Sequence, residues 1–206
     1  MASRHTIVNV GYRSTNYWVV SAGNSRLLVD LGRPGTMPAM RANLDRMGVP
    51  LDEIRYAVAT HYHMDHAGLA QEFKRAGVPL LVLENQIDAI PRMKAHMKPA
   101  DHYIDITLND NVTISFAQSR AFLAKINIAG EILATPGHSD DSVSLLLDDG
   151  SVFTGDLTHP AMAGEHDGAT IAASWQLLRS RGASRVYPGH GPIRFLAPDS
   201  VRADAE

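Results

Sequence analysis

The chain has 206 residues, 45% of them hydrophobic and 20% charged, with a formal net charge of -3. That supports one sizeable buried core and excludes both a disordered chain and the basic footprint of a nucleic-acid binder. The chain contains no cysteine, which excludes disulfides and thiolate metal sites and leaves His, Asp and Glu as the ligands available to a metal. No run approaches the roughly 18 apolar residues of a membrane span, and the first ten residues hold no apolar leader core. The expectation is a cytoplasmic protein, a single domain over 1–206, with no membrane and no nucleic-acid partner.

Residues 6–10, 17–20 and 26–31 read as strands of an opening sheet, broken by Gly32-Arg33-Pro34-Gly35. Met40, Leu44 and Met47 recur at the spacing of one helix face, stopped by Gly48. The apolar run Tyr56-Ala57-Val58-Ala59 leads to His61-Tyr62-His63-Met64-Asp65-His66, with three imidazoles and a carboxylate within six residues. Leu69, Phe73 and Ala76 suggest a short helix ending at Gly77, and residues 78–83 are strand-like. Ile87, Ile90, Met93 and Met97 suggest broken helix around Pro91. From 103 to 147 short strand signals dominate, punctuated by Asn109-Asp110 and Gly130. Ile171, Trp175 and Leu178 mark another amphipathic helix, stopped by Gly182.

An isolated HxHxDH can be a polar loop with chance histidines. Here three further ligand-type residues fall in matching contexts. Ile132-Leu133-Ala134 leads through Pro136-Gly137 to His138. Val152-Phe153 leads through Gly155 to Asp156, and Val186-Tyr187 through Pro188-Gly189 to His190. Each is a buried-strand signal, then a Gly or Pro breaker, then a ligand. Strands of one layered domain tend to end at a common edge, so side chains just past four strand ends can converge there.

The set HYHMDH, TPGHSDDS, FTGDL and YPGHGP resembles the metallo-β-lactamase superfamily, over almost the whole chain to Pro192. The resemblance implies an α/β (α+β) fold, a four-layer αββα sandwich with the metals at one edge of the two sheets. It implies that His61, His63 and His138 hold one metal, that Asp65, His66 and His190 hold a second, and that Asp156 bridges them. Two divalent ions, zinc first with iron or manganese as alternatives, can hold a hydroxide between them that attacks an acyl or phosphoryl centre. In related hydrolases the counterpart of Asp65 is thought to pass a proton to the leaving group, so Asp65 is the candidate catalytic residue, with a purely ligating role as its alternative. Asp30 is a candidate acceptor for a ligand histidine, or a solvated turn residue.

Departures from subfamilies narrow the substrate. Asp156 stands where the best-known lactam-cleaving relatives carry cysteine and His63 where the diiron flavoproteins carry glutamate, and the expectation is that the C-terminal helical domain of the larger glyoxalase II type is absent. Shorter glyoxalase-like thioesterases remain open. Lactonases of this type use a tyrosine near the leaving oxygen, which Tyr12, Tyr17, Tyr62 or Tyr103 could supply. The expected function is a metal-dependent hydrolase cleaving an ester, lactone or thioester of a small molecule. The alternatives are a mononuclear iron dioxygenase acting on a persulfide, a phosphodiesterase, and a non-enzymatic protein stapled by metal. The segment 84–122 is the candidate substrate wall, with Ile87, Ile90, Met93 and Met97 either an adaptable apolar lid or ordinary core. His159 and His166 read as loop residues near the site, Asp140 and Asp141 as turn residues that could also support it. A homodimer is the base-rate expectation.

Overall fold

The computed structural model describes residues 5–164 and 167–197; of the residues singled out above, His166 lies outside them. Strands β1 (Thr6–Asn9), β2 (Trp18–Ala22) and β3 (Ser25–Val29) open a six-stranded sheet as an antiparallel meander. Strands β4 (Ile54–Val58), β5 (Leu80–Leu83) and β6 (Val112–Ile114) extend it in parallel. The second sheet has five strands, β7 (Gly130–Ala134), β8 (Val143–Leu147), β9 (Ser151–Gly155), β10 (Arg185–Pro188) and β11 (Arg194–Phe195), in the order β11-β10-β9-β8-β7. The helices are α1 (Met37–Arg46), α2 (Met64–Ala67), α3 (Ala70–Arg75), α4 (Ala89–Met93), α5 (Phe116–Ala124) and α6 (Gly168–Ser180).

Alternation along the strands sorts the side chains into layers. Leu27 and Val29 of β3 join Val58, Leu81, Leu145, Phe153 and Tyr187 in a core between the two sheets. Leu28 points the other way, packing with Ala57 and Val82 under Met40, Leu44 and Phe73 of α1 and α3. On the far side, Leu146, Val152 and Val186 turn outward under Ile171, Trp175 and Leu178 of α6. Three apolar layers between two sheets and two sets of helices make an αββα sandwich, and the strands buried on both faces explain their nearly continuous apolar runs.

One expectation changes and one open alternative is decided. Part of the region expected to be dominated by short strands folds as α5. Its start is fixed by Ser115 and Gln118, whose Oε1 accepts the Ser115 N–H at 2.9 Å, a capping pattern legible in S-x-x-Q before an apolar residue. Of the two readings of Ile87, Ile90, Met93 and Met97, core holds for most: Ile90 and Met93 are buried in the first core, Met97 packs against it, and of the four only Ile87 is substantially exposed, at 39%.

Candidate metal centre

Strand direction gathers the chemistry at one edge. β3 and β4 run parallel and end at Asp30 and His61. In the other sheet β8 is antiparallel to both β7 and β9, and β10 is parallel to β9, so β7, β9 and β10 all point the same way. Their ends lead to His138, Asp156 and His190. Backbone bonds tie the two edges together: Val143 N–H donates to Thr60 O at 2.8 Å, and Asn16 N–H to Gly189 O at 2.7 Å. His63 is extended, and the single turn of α2 then swings Asp65 and His66 away from it. A contiguous motif thereby sends its side chains in two directions.

Among the described residues, three groups bring their donor atoms within 4.8 Å of one another: His61, His63 and His138; His61, His66 and Asp156; and Asp65, His66 and His190. His138 Nε2 lies 3.0 Å from His63 Nδ1. His190 Nε2 is 3.4 Å from both Asp65 Oδ2 and Asp156 Oδ2. Asp156 reaches both ways, with Oδ1 at 3.3 Å from His66 Nε2 and Oδ2 at 3.8 Å from His138 Nε2. All seven residues singled out in the sequence are therefore brought together.

Their orientation is set from behind. Asp30, 1% exposed, accepts from Thr60 N–H at 2.8 Å and Thr60 Oγ1 at 2.9 Å, and lies 2.9 Å from His66 Nδ1. With its proton committed to Asp30, the Thr60 hydroxyl can accept from His61 Nδ1, 3.2 Å away. One buried carboxylate thus fixes two rings, directly and through Thr60, leaving each Nε2 to face the centre. Of the two readings of Asp30, the acceptor is the one the geometry shows. His190 Nδ1 faces Ser14 O at 2.8 Å, and Thr15 Oγ1 donates to Asp65 Oδ2 at 3.1 Å. Neither Ser14 nor Thr15 was singled out in the sequence, where they look like an ordinary polar turn.

Burial, and then the neighbouring imidazoles, push His61 well below its ordinary range, so its ring is neutral. Burial lowers His138 as well, against the pull of Asp156. Burial would also lower His66, but the carboxylates of Asp30 and Asp156 outweigh it and lift the ring to about 10. Asp156 is raised by burial and lowered further by His66, His190 and His138, ending below the usual carboxylate range. Asp30 and Asp156 thus draw positive charge to His66, in a place where a divalent cation would compete for the same charge.

The side chains fit such a cation. His61 Nε2, His66 Nε2 and Asp156 Oδ1 are buried with no hydrogen-bond partner, and an unpaired buried polar atom is costly. The three converge, and imidazole with carboxylate is the donor set of zinc, iron and manganese. Space is kept open by Gly189, where a Cβ would collide with Asp156 Oδ1 and His66 Cε1. Gly155, at φ +51, lets β9 approach Thr60 more closely than any side chain allows.

Two clefts flank the centre. One of about 310 Å³ lies beside His63, lined by Tyr62, Ala89, Arg92, Met93 and His96 among others. The other, of about 290 Å³, lies beside Asp156 and His190, with Leu157, His159, Met162 and Arg194 in its wall. His159 is exposed there, and its Nδ1 accepts from Ala161 N–H at 3.2 Å. Asp141 is buried and accepts the Tyr62 N–H at 2.7 Å, holding the backbone between His61 and His63, whereas Asp140 is exposed. Of the candidate tyrosines, Tyr17 and Tyr62 are buried at 1% and 4% exposure, and burial raises both hydroxyls.

The profile of the Metallo-beta-lactamase superfamily matches residues 10–190. A Beta-lactamase-like protein 2 homolog of Caenorhabditis elegans is 29% identical over 195 residues, covering 88% of this chain and 57% of its own. An Atrochrysone carboxyl ACP thioesterase of Claviceps purpurea is 27% identical over 205 residues, covering 94% of this chain and 56% of its own. This chain thus spans little more than half the length of these relatives. Among solved structures, TTHA1623, crystallised in a di-iron-bound form, superposes with a TM-score of 0.69 at 24% identity, covering 95% of this chain and 97% of its own. No described helix is long and apolar enough to cross a membrane.

Proposed function

The chain belongs to the metallo-beta-lactamase superfamily, and from that premise we propose that it is a two-metal hydrolase of small-molecule esters, lactones or thioesters. His61, His63 and His138 would hold one ion, Asp65, His66 and His190 the other, and Asp156 would span both, with zinc the proposed metal. The observation that carries this reading is the convergence of seven ligand-type side chains, three of them presenting buried atoms that no protein group satisfies. Divalent ions held there supply Lewis acidity and an activated water at neutral pH.

The protein's own groups do the rest. Asp30 takes the Nδ1 side of His66 and, through Thr60, that of His61, which orients both rings with Nε2 toward the centre. Asp156 Oδ1 lies 3.3 Å from His66 Nε2, and its Oδ2 lies 3.4 Å from His190 Nε2 and 3.8 Å from His138 Nε2, so the carboxylate faces ligands of both proposed positions. Asp65 keeps 21% of its side chain exposed beside His190, where it can pass a proton to a departing oxygen or sulfur. The two clefts give an acyl chain and its leaving group separate directions away from the centre. The thioesterase name of one relative favours the thioester within the proposed set.

Metal analysis of protein purified without chelator, followed by thioester, lactone and nitrophenyl phosphodiester assays, tests the reading. Nearly two zinc per chain and turnover of a thioester or lactone is the expected result. One iron with little zinc, and oxygen consumption with a persulfide, would replace it with a dioxygenase. Turnover confined to the phosphodiester would move the substrate class.

A further inference from the structure

The loop between β1 and β2 is bound more closely to the far sheet than a connection within one sheet requires. Asn16 donates from its backbone to Gly189 O at 2.7 Å, and from Nδ2 to Pro188 O at 3.0 Å and Gly191 O at 2.9 Å. Trp18 Nε1 donates to the same Pro188 O at 3.1 Å. Thr15 pairs with His190 in an isolated antiparallel bridge. The loop is anchored at its other end too: Asn9 Nδ2 donates to Asn16 Oδ1 at 2.8 Å, and Asn43 Nδ2 of α1 to Gly11 O at 2.8 Å. It is a strap from the first sheet across to the loop that carries His190.

The strap reaches only part of the centre. Ser14 O takes the Nδ1 side of the His190 ring, and Thr15 Oγ1 holds Asp65 Oδ2, the oxygen that faces His190 Nε2. Thr15 is itself 4% exposed, so its hydroxyl has little water to turn to. Among the described residues no hydrogen bond runs from the strap to His61, His63 or His138. Those three depend instead on Thr60 and on one another.

We infer that Thr15 is a positioning residue for one metal position alone: its hydroxyl and the Ser14 carbonyl beside it fix Asp65 and His190, and so set the affinity of the Asp65–His66–His190 side without affecting the other. The inference rests on the two-metal reading above. Hydrogen-bonded partners behind metal ligands are commonly worth 10–100-fold in affinity, and here that effect falls on one ion of two.

The test is Zn2+ uptake by metal-free protein, titrated in competition with a chromophoric chelator, for the wild type, Thr15→Val and Thr15→Ser. Valine keeps the shape and removes the donor; serine keeps the donor. The expected result is two equivalents in the wild type, one of them lowered about 10–100-fold by valine and the other unchanged, with serine restoring the wild-type pattern. Melting of each metal-free variant checks that the fold is intact, and Thr15→Ala replaces valine if that variant folds poorly. Equal loss of both equivalents, or loss of neither, overturns the inference and leaves two-metal binding standing. A wild type that takes up a single equivalent overturns both together.

Discussion

Lys74 and His66 are both cation-forming side chains held inside polar clusters, and the clusters are finished differently. Lys74 Nζ donates to Thr107 O, Thr107 Oγ1, Asn109 O and Asn111 Oδ1 at 2.6–3.1 Å. An ammonium has three protons, so the protein itself uses every one, and the loop before β6 is pinned to α3. At the His66 edge the protein completes the outer side of the His61, His66 and His190 rings and leaves the inner nitrogens of His61 and His66 bare. Three of the seven buried side-chain atoms without a partner among the described residues meet there. A cluster that closes on itself holds a fold together. A cluster satisfied only from behind is shaped for something that arrives from in front.

The largest effect should come from the residue on which the open cluster hangs. Asp30→Ala leaves Thr60 N–H and His66 Nδ1 without their buried acceptor. Breaking such an arrangement costs about 3–5 kcal/mol. Thermal melts should show this loss, and metal analysis should show occupancy falling with it. An Asp30→Ala protein with full metal content would separate the support from the site and undo the comparison.

Removing the metal is the next test. Ligand that binds only the folded state stabilises it by about 2.7 kcal/mol at one hundred times Kd. A chelator should therefore lower the melting temperature of the wild type, and added Zn2+ should restore it. Lys74→Met should behave oppositely: about 1–3 kcal/mol lost through unmade hydrogen bonds, with metal stoichiometry and affinity unchanged. If chelation weakened the Lys74 variant no more than it weakened a metal-free wild type, the His edge would not be the part that metal completes.

The same contrast explains what could be read from the sequence. His61, His63, Asp65 and His66 lie in one run, and His138, Asp156 and His190 each follow a strand signal and a breaker, so the seven were legible as residue types in context. The αββα sandwich was legible through the family resemblance that these motifs carry; the apolar runs by themselves indicate buried strands. What escaped were features made by folding. Ser14 and Thr15 acquire their roles only when β10 brings His190 against them from far along the chain. The start of α5 rested on Ser115 and Gln118, masked by neighbouring residues that suggest strand. Ile90 and Met93 could be read as lid or as core, because methionine and isoleucine say apolar and not which way they face; α4 turns them into the first core.

The smallest prediction comes from the awkward case, Glu72, beside Lys74's own turn of α3. Its Oε2 is buried without a partner although, among the described residues, no candidate metal-binding group includes it, so bareness alone does not make a site; convergence does. Burial raises the Glu72 carboxyl above its ordinary value, while its own backbone N–H and Arg75 pull it partly back. A folded state that holds this proton more tightly than the unfolded chain pays for the ionised form at high pH. Glu72→Gln should therefore stabilise the protein at neutral and alkaline pH. The gain should fade as pH falls through the raised folded-state value and be gone below the ordinary carboxylate pKa of about 4.3. It should stay under about 1 kcal/mol, because part of the side chain remains in water. Denaturant melts from pH 4 to 8 on the metal-free protein read it directly. A gain accompanied by altered Zn2+ affinity would mean that Glu72 belongs to the open cluster after all.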